Sequence, residues 1–189
     1  DKSGEMIAQA AHIPVHLGSM PLSVKAAINA CDLQENDMVI LNDPFKGGTH
    51  LPDITSVAPV FVEGESGPCF YVANRAHHSD VGGMSSGSMP LSNSLYQEGL
   101  IIPPLKIIKN AQLDSSLMQL ILNNVRTPAE REGDFAAQFM SNWTGVKRIQ
   151  ELITKYGIEI VYEYSGALLD YSEKIMRKTI EDIPDGEYE

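Results

Sequence analysis

The stretch DITSVAPVFVEGESGPCFYVANRAHH, residues 53–78, decides the fold. Thr55 to Val62 reads as one strand and Cys69 to Ala73 as another, because β-branched and aromatic side chains pack well on a pleated surface. Between them Glu63-Gly-Glu-Ser-Gly-Pro68 has the turn chemistry of a hairpin loop. A hairpin gathers the residues before its first strand and after its second at one end. It therefore carries His50, Asp53, His77, His78 and Asp80 to one place.

Upstream, Pro21 to Ala30 has helical spacing, with Ser19 as a candidate cap. Asp37 to Leu41 reads as a buried strand that stops at the turn Asn42-Asp43-Pro44. Gly82-Gly-Met-Ser-Ser-Gly87 is too glycine-rich for a regular element, and Ile101 to Ile108, broken by Pro103 and Pro104, is extended at best. Downstream the apolar period changes from two to about 3.6. Asp114 caps a short helix bearing Leu117, Leu120 and Ile121. Thr127-Pro-Ala-Glu130 is a capping box that opens a long helix. Its stripe runs Phe135, Phe139, Trp143, Val146, Ile149, Leu152, Tyr156, and Gly157 ends it. A second stripe follows, Val161, Tyr164, Leu168, Tyr171, Ile175 and Ile180, and stops at Pro184-Asp-Gly186. Two antiparallel helices joined near Gly157 would bury both stripes. The expected class is α+β: a β-rich part with glycine-rich site loops over residues 1–110, then an antiparallel helical part over 111–189, packed as one continuous domain.

The 189 residues carry 25 acidic and 14 basic side chains, a net charge of −11. That balance argues against a nucleic-acid footprint and against docking on an anionic membrane. No apolar run approaches the roughly 18–20 residues of a membrane helix. The N-terminal residues lack the basic and apolar regions of a signal peptide. Cys31 and Cys69 do not form a CxxC pair and read as small hydrophobes of a reducing compartment, so the cytoplasm is expected.

Three stretches are over-supplied with polar groups: Asn42 to Asp53, Asn74 to Gly83, and His12 to His16. The cluster His50, Asp53, His77, His78 and Asp80 offers the mixed nitrogen and oxygen donors that suit zinc, manganese or iron better than calcium. The same residues also read blandly, as a surface turn capped by Asp53 and a histidine pair with one ring buried. Gly47-Gly48 and Gly82-Gly83 either let a ligand approach the backbone or simply turn the chain. Arg75 either binds a substrate carboxylate or pairs with Asp80. Asp43 reads as a turn former, and His12 and His16 as structural. The glycines match neither of the phosphate-binding patterns GxxxxGK[ST] and GxGxxG, and no GxSxG elbow is present.

Asn-Asp-Pro-Phe-Lys-Gly-Gly-Thr-His-Leu-Pro-Asp (42–53) and Asn-Arg-Ala-His-His-Ser-Asp-Val-Gly-Gly (74–83) closely resemble the hydantoinase B family. So do residues 12–20, Glu-Gly-Leu-Ile-Ile-Pro-Pro (98–104) and Pro-Asp-Gly (184–186), in order over nearly the whole chain. The resemblance implies a B-type subunit that completes an ATP-dependent reaction on a cyclic amide. Its hydantoinase A-type partner would use ATP and Mg²⁺ to phosphorylate a carbonyl oxygen. It implies a divalent metal (Mn, Zn or Fe) on His50, Asp53 and His77, with His78 as the alternative third ligand. His78 and Asp80 are then candidates for proton transfer, and Asn42 and Arg75 for substrate contact. Family members are several hundred residues long, so the chain looks like an internal piece. Two rival functions stand beside hydrolytic ring opening: a carboxylase subunit of the acetone or acetophenone carboxylase type, and a non-catalytic assembly module.

Overall fold

A computed structural model describes residues 1–11 and 13–187. The five strands are β1 (Met38–Leu41), β2 (Asp53–Val60), β3 (Phe70–His77), β4 (Leu105–Lys109) and β5 (Gln112–Leu113). They form one antiparallel sheet in the order β3-β2-β1-β4-β5. Four helices surround it: α1 (His16–Ala30), α2 (Ser115–Leu122), α3 (Pro128–Tyr156) and α4 (Ile158–Glu181). The α+β class, with strands first and helices after, is the one expected. Among the described residues no helix is long and apolar enough to cross a membrane.

The central strand explains the layering. All four residues of β1 are buried, although successive side chains point to opposite faces. Val39 and Leu41 pack with Val57 against Val24 and Ala27 of α1. Met38 and Ile40 pack with Ile54 and Val60 against Met118 and Ile121 of α2 and Phe135 and Phe139 of α3. A strand covered on both faces reads as an apolar run rather than an alternation.

The hairpin forms, and it is longer at its open end than the composition suggests. Pairing runs from Val60 with Phe70 to Asp53 with His77, so Asp53 and His77 are cross-strand partners instead of flanking residues. Helix α1 begins five residues before Pro21, which lies inside it. Ser19 is thus an interior residue and not a cap. Ile101 to Ile108 does contribute a strand, from Leu105, just beyond the two prolines. Asp114 caps α2 by accepting the Leu117 N–H at 3.1 Å. The long helix starts at Pro128, but Thr127 makes no side-chain cap bond.

Gly157, at φ 82°, ends α3, and its N–H donates to the Ile153 carbonyl at 2.7 Å. The two stripes do not bury each other as expected. Within α4 only Val161 is buried, while Tyr164 is 67% exposed and Leu168 49%. The first turns of α4 pack on the hairpin, with Tyr162 against Phe70 of β3 at 5.2 Å between ring centroids. Instead, α3 uses its buried face on the sheet, and that face includes the polar residues Gln138 and Asn142.

Candidate active site

The loop from Asn42 to Asp53 is shaped by side chains bonding to backbone. Asp43 accepts the Phe45 N–H at 3.0 Å and forms the turn. Gly48 lies so close to β1 that a Cβ there would be 2.2 Å from the Asn42 carbonyl oxygen. The glycine pairs therefore serve close approach of chain to chain: a Cβ on Gly83 would stand 2.5 Å from the Gln97 carbonyl oxygen. His50 and Asp53 span a tight turn in which the Asp53 N–H donates to the His50 carbonyl at 2.9 Å.

That turn delivers His50 and Asp53 to the end of β3. His77 Nδ1 lies 2.8 Å from Asp53 Oδ1. The His50 and His77 rings stack, with centroids 5.4 Å apart and planes at 25°. Asp53 is largely covered and His77 half exposed. Both border a cleft of about 1380 Å³ walled by the N-terminal segment, α1, β3, α3 and α4. So the surface-turn description is correct for the backbone, while the Asp53 side chain leaves the turn for His77. Two imidazoles and one carboxylate suit a divalent first-row metal in ligand type. Here they are engaged with one another, and among the described residues no three His, Cys, Asp or Glu side chains converge as metal ligands.

The other candidates are placed differently. His78 is 2% exposed, tilts against Phe135 at 4.5 Å and reaches Gln138 Oε1 with Nε2 at 3.1 Å. Burial pulls its pKa down, so the ring is held neutral. Since Gln138 Nε2 donates to the Ile54 carbonyl, its Oε1 faces His78, and Nε2 of the ring carries the proton. Nδ1 is then an acceptor without a partner. This histidine ties β3 to α3 and does not face the cleft.

Asp80 is 3% exposed and accepts from the N–H of Gly82 and from the backbone and guanidinium of Arg126. Burial alone would raise its pKa, but the backbone N–H of Arg126, then that of Gly82 and the Arg126 charge outweigh it. The net pKa lies below the usual carboxylate range. With these three donors the Asp80 carboxylate anchors the Gly82 loop to Arg126.

Arg75 does not pair with Asp80. It donates to Thr55 Oγ1 and to three groups along α1: Ser19 Oγ, Ser23 Oγ and, at 3.0 Å, His16 Nδ1. It rivets α1 to the hairpin, and His16 is structural in the sense expected. Burial lowers the guanidinium pKa, and the nearby Asp53 charge opposes that shift. Asn42 is fully buried. Its amide donates to the carbonyls of Leu51 at 2.7 Å and Leu100 at 3.0 Å, and accepts the Ile102 N–H at 2.6 Å. The Asn42 amide is filled by backbone groups, while Arg75 borders the cleft with its guanidinium bonded to Thr55 and α1. His12 lies outside the described residues.

Three residues the motifs did not single out complete the picture. Arg126 is the partner of Asp80. Gln138 joins His78 to β2, and it was legible as a polar residue on the buried stripe, three positions after Phe135. Ser88 lies 2.6 Å from His77 Nε2; nothing in a serine- and glycine-rich loop marks it out.

Comparison with known proteins places this geometry. The chain matches the Hydantoinase B/oxoprolinase family over residues 1–189. It is 47% identical to an uncharacterised protein of Methanocaldococcus jannaschii over 96% of this chain and 33% of that one. It is 36% identical to a 5-oxoprolinase of Dictyostelium discoideum over 95% of this chain and 14% of that one. Caprolactamase subunit β of Pseudomonas jessenii is 35% identical, over 100% of this chain and 32% of its own. The crystal structure of that ATP-dependent caprolactamase superposes with a TM-score of 0.87 at 35% identity, over 96% of this chain and 32% of that one. The chain thus spans about a third or less of the length of these relatives. On the full-length family match and this superposition, the chain belongs to the hydantoinase B/oxoprolinase family.

Proposed function

We propose that the chain is the metal-bearing part of a B-type subunit that hydrolyses a C–N bond of a cyclic amide, a hydantoin or 5-oxoproline, in an ATP-dependent reaction. An A-type partner subunit uses ATP and Mg²⁺ to phosphorylate the amide carbonyl oxygen, and this chain acts on the activated ring. His50, Asp53 and His77 are the residues that would hold one divalent ion, Mn, Zn or Fe. When bound, it polarises the carbonyl or activates water. Around it the chain positions: Asp53 holds the His77 ring, His50 covers one ring face, and the apolar cleft walls limit water. His78, Asp80 and Asn42 act behind the site, holding the loops that present it, and Arg75 borders the cleft while it rivets α1 to the hairpin.

The observation that carries this reading is the cross-strand pair of Asp53 and His77 with His50 stacked on it, at the edge of the cleft. The names of the relatives, 5-oxoprolinase and caprolactamase subunit β, supply the reaction class and the need for a partner subunit. Both cysteines are free, in keeping with a cytoplasmic setting. The test is ATP-dependent ring opening by the complete complex, with metal content measured in parallel. His50→Ala is expected to lose both the metal and the activity while keeping its circular dichroism spectrum. Full activity in that variant refutes the site, and turnover that depends on bicarbonate moves the protein to the carboxylase alternative.

A further inference from the structure

We propose that His16 is a substrate-contacting residue, which donates a hydrogen bond from Nε2 to a phosphoryl oxygen of the activated ring. The inference rests on the proposed ATP-dependent ring opening. His16 opens α1, and its Nδ1 lies 3.0 Å from the Arg75 guanidinium. A guanidinium only donates, so Nδ1 accepts and the ring's N–H sits on Nε2. That nitrogen has no hydrogen-bond partner among the described residues, and His16 borders the cleft. The ring is thus structural through Nδ1, while Nε2 is a donor left over for the cleft. Arg75 holds the ring in place, being itself fixed by Thr55 Oγ1 at 2.8 Å and by Ser19 Oγ and Ser23 Oγ at 2.7 Å each. Arg75 and His77 are two apart on β3, so their side chains leave the same face of the sheet, about 7 Å apart along the strand. His16 therefore stands at the end of the cleft where Asp53 and His77 meet.

The neighbouring polar side chains are already spent. The Asn74 amide donates to the Gln138 carbonyl and to Asn142 Oδ1. Asp53 and His77 bond to each other, and Arg75 serves Thr55 and α1. The walls beyond them are largely apolar, with Ile7, Met20, Val24, Phe70 and Leu168 among them. A donor fixed in advance at such a wall meets little competition from water and needs no reorganisation when its acceptor arrives. Phosphorylation of the amide carbonyl supplies the acceptor, since it adds a group with anionic oxygens. Hydrogen bonds to ionised acceptors are roughly twice as strong as neutral ones. The Arg75 charge beside Nδ1 polarises the ring and strengthens the Nε2–H as a donor. Held this way, the activated ring presents its carbon to water. Without the hold, water attacks phosphorus instead, and the products are the original amide and orthophosphate.

The experiment uses the complete complex with ATP and either 5-oxoproline or a hydantoin, and measures both ring opened and orthophosphate released. Two variants separate the nitrogens. In His16→Asn, Oδ1 takes the place of Nδ1 towards Arg75, but nothing donates from the position of Nε2. In His16→Gln, the side-chain amide puts an N–H close to where Nε2 stood. His16→Asn is expected to open the ring about tenfold to a hundredfold more slowly, the usual worth of a hydrogen bond to a charged group. Its ratio of orthophosphate to opened ring should rise, while hydrogen exchange of the α1 amides stays as in the unsubstituted protein. His16→Gln should recover most of the rate and the coupling. Ring opening by His16→Asn within about twofold of the unsubstituted complex overturns the role of Nε2 and leaves the proposed reaction standing. Equal loss in both variants together with faster α1 exchange reduces His16 to a part of the Arg75 rivet, and overturns the role as well. Absence of ATP-dependent ring opening in the unsubstituted complex overturns the proposed function, and this inference with it.

Discussion

Asn42→Ala removes the joint that holds three backbone segments together, and its effect can be worked from the contacts. The amide is fully buried and makes three hydrogen bonds, to the carbonyls of Leu51 and Leu100 and from the Ile102 N–H. Alanine leaves three buried backbone groups short of a side-chain partner. The Leu51 and Leu100 carbonyls lose their amide donor, and the Ile102 N–H loses its acceptor. Each such group costs about 1–3 kcal/mol, and partial relaxation brings the expected total to about 3 kcal/mol. That is a large fraction of the roughly 5–15 kcal/mol that keeps a domain folded. For a chain of this length it corresponds to roughly 6–12 °C in melting temperature. The assay is urea unfolding followed by circular dichroism, with the melting curve as a second measure. Asn42→Asp should fall on the same side, since a carboxylate keeps the Ile102 bond but faces two carbonyl oxygens without a proton to give. If Asn42→Ala melts within about 2 °C of the parent while raising KM for the cyclic amide, the residue is a substrate contact after all and this reasoning fails.

Three further outcomes follow from the same geometry. Asp80→Asn should lose about 2 kcal/mol at pH 7, on the usual value of hydrogen bonds to a charged group. The folded pKa of Asp80 is depressed, so its contribution is complete above the ordinary Asp value near 3.9 and disappears as pH falls through the lower folded value. The variant should therefore show a flatter acid limb in unfolding from pH 5 to pH 2, and an unchanged limb refutes the anchor role. Arg75→Lys should speed hydrogen exchange of α1 amides at least tenfold, because one ammonium cannot span Thr55, His16, Ser19 and Ser23; unaltered exchange would mean that apolar packing alone holds α1. Leu168→Glu should change the urea stability of this chain by less than about 0.5 kcal/mol, as exposed positions do. A loss beyond 1 kcal/mol would show that α4 buries its stripe.

Much of the site was legible because its parts are local. The turn from His50 to Asp53 and the hairpin of β2 and β3 are set by residues near one another in the chain, so their meeting at one end follows from strand pairing alone. Roles were less legible than places. Arg75, Asp80, Asn42 and His78 all look like active-site residues as letters, yet each is consumed by a partner far along the chain: α1, Arg126, two separate loops and Gln138. Ser88 shows the reverse, an unremarkable residue made relevant by a contact eleven positions away across a loop.

What the amino-acid sequence determined by itself was the α+β class, the hairpin, the helix limits at Asp114, Pro128 and Gly157, and the family. These rest on periodicity, turn chemistry and ordered motifs, all short-range properties of the chain. Only the tertiary structure decided which polar side chains stay open and which apolar stripe is covered. Hydrogen-bond capacity and apolar surface are used up by whatever arrives from elsewhere. Thus Asp80 is committed to Arg126, Asp53 remains with His77 at the cleft, and α4 keeps most of its stripe exposed because α3 spends its buried face on the sheet.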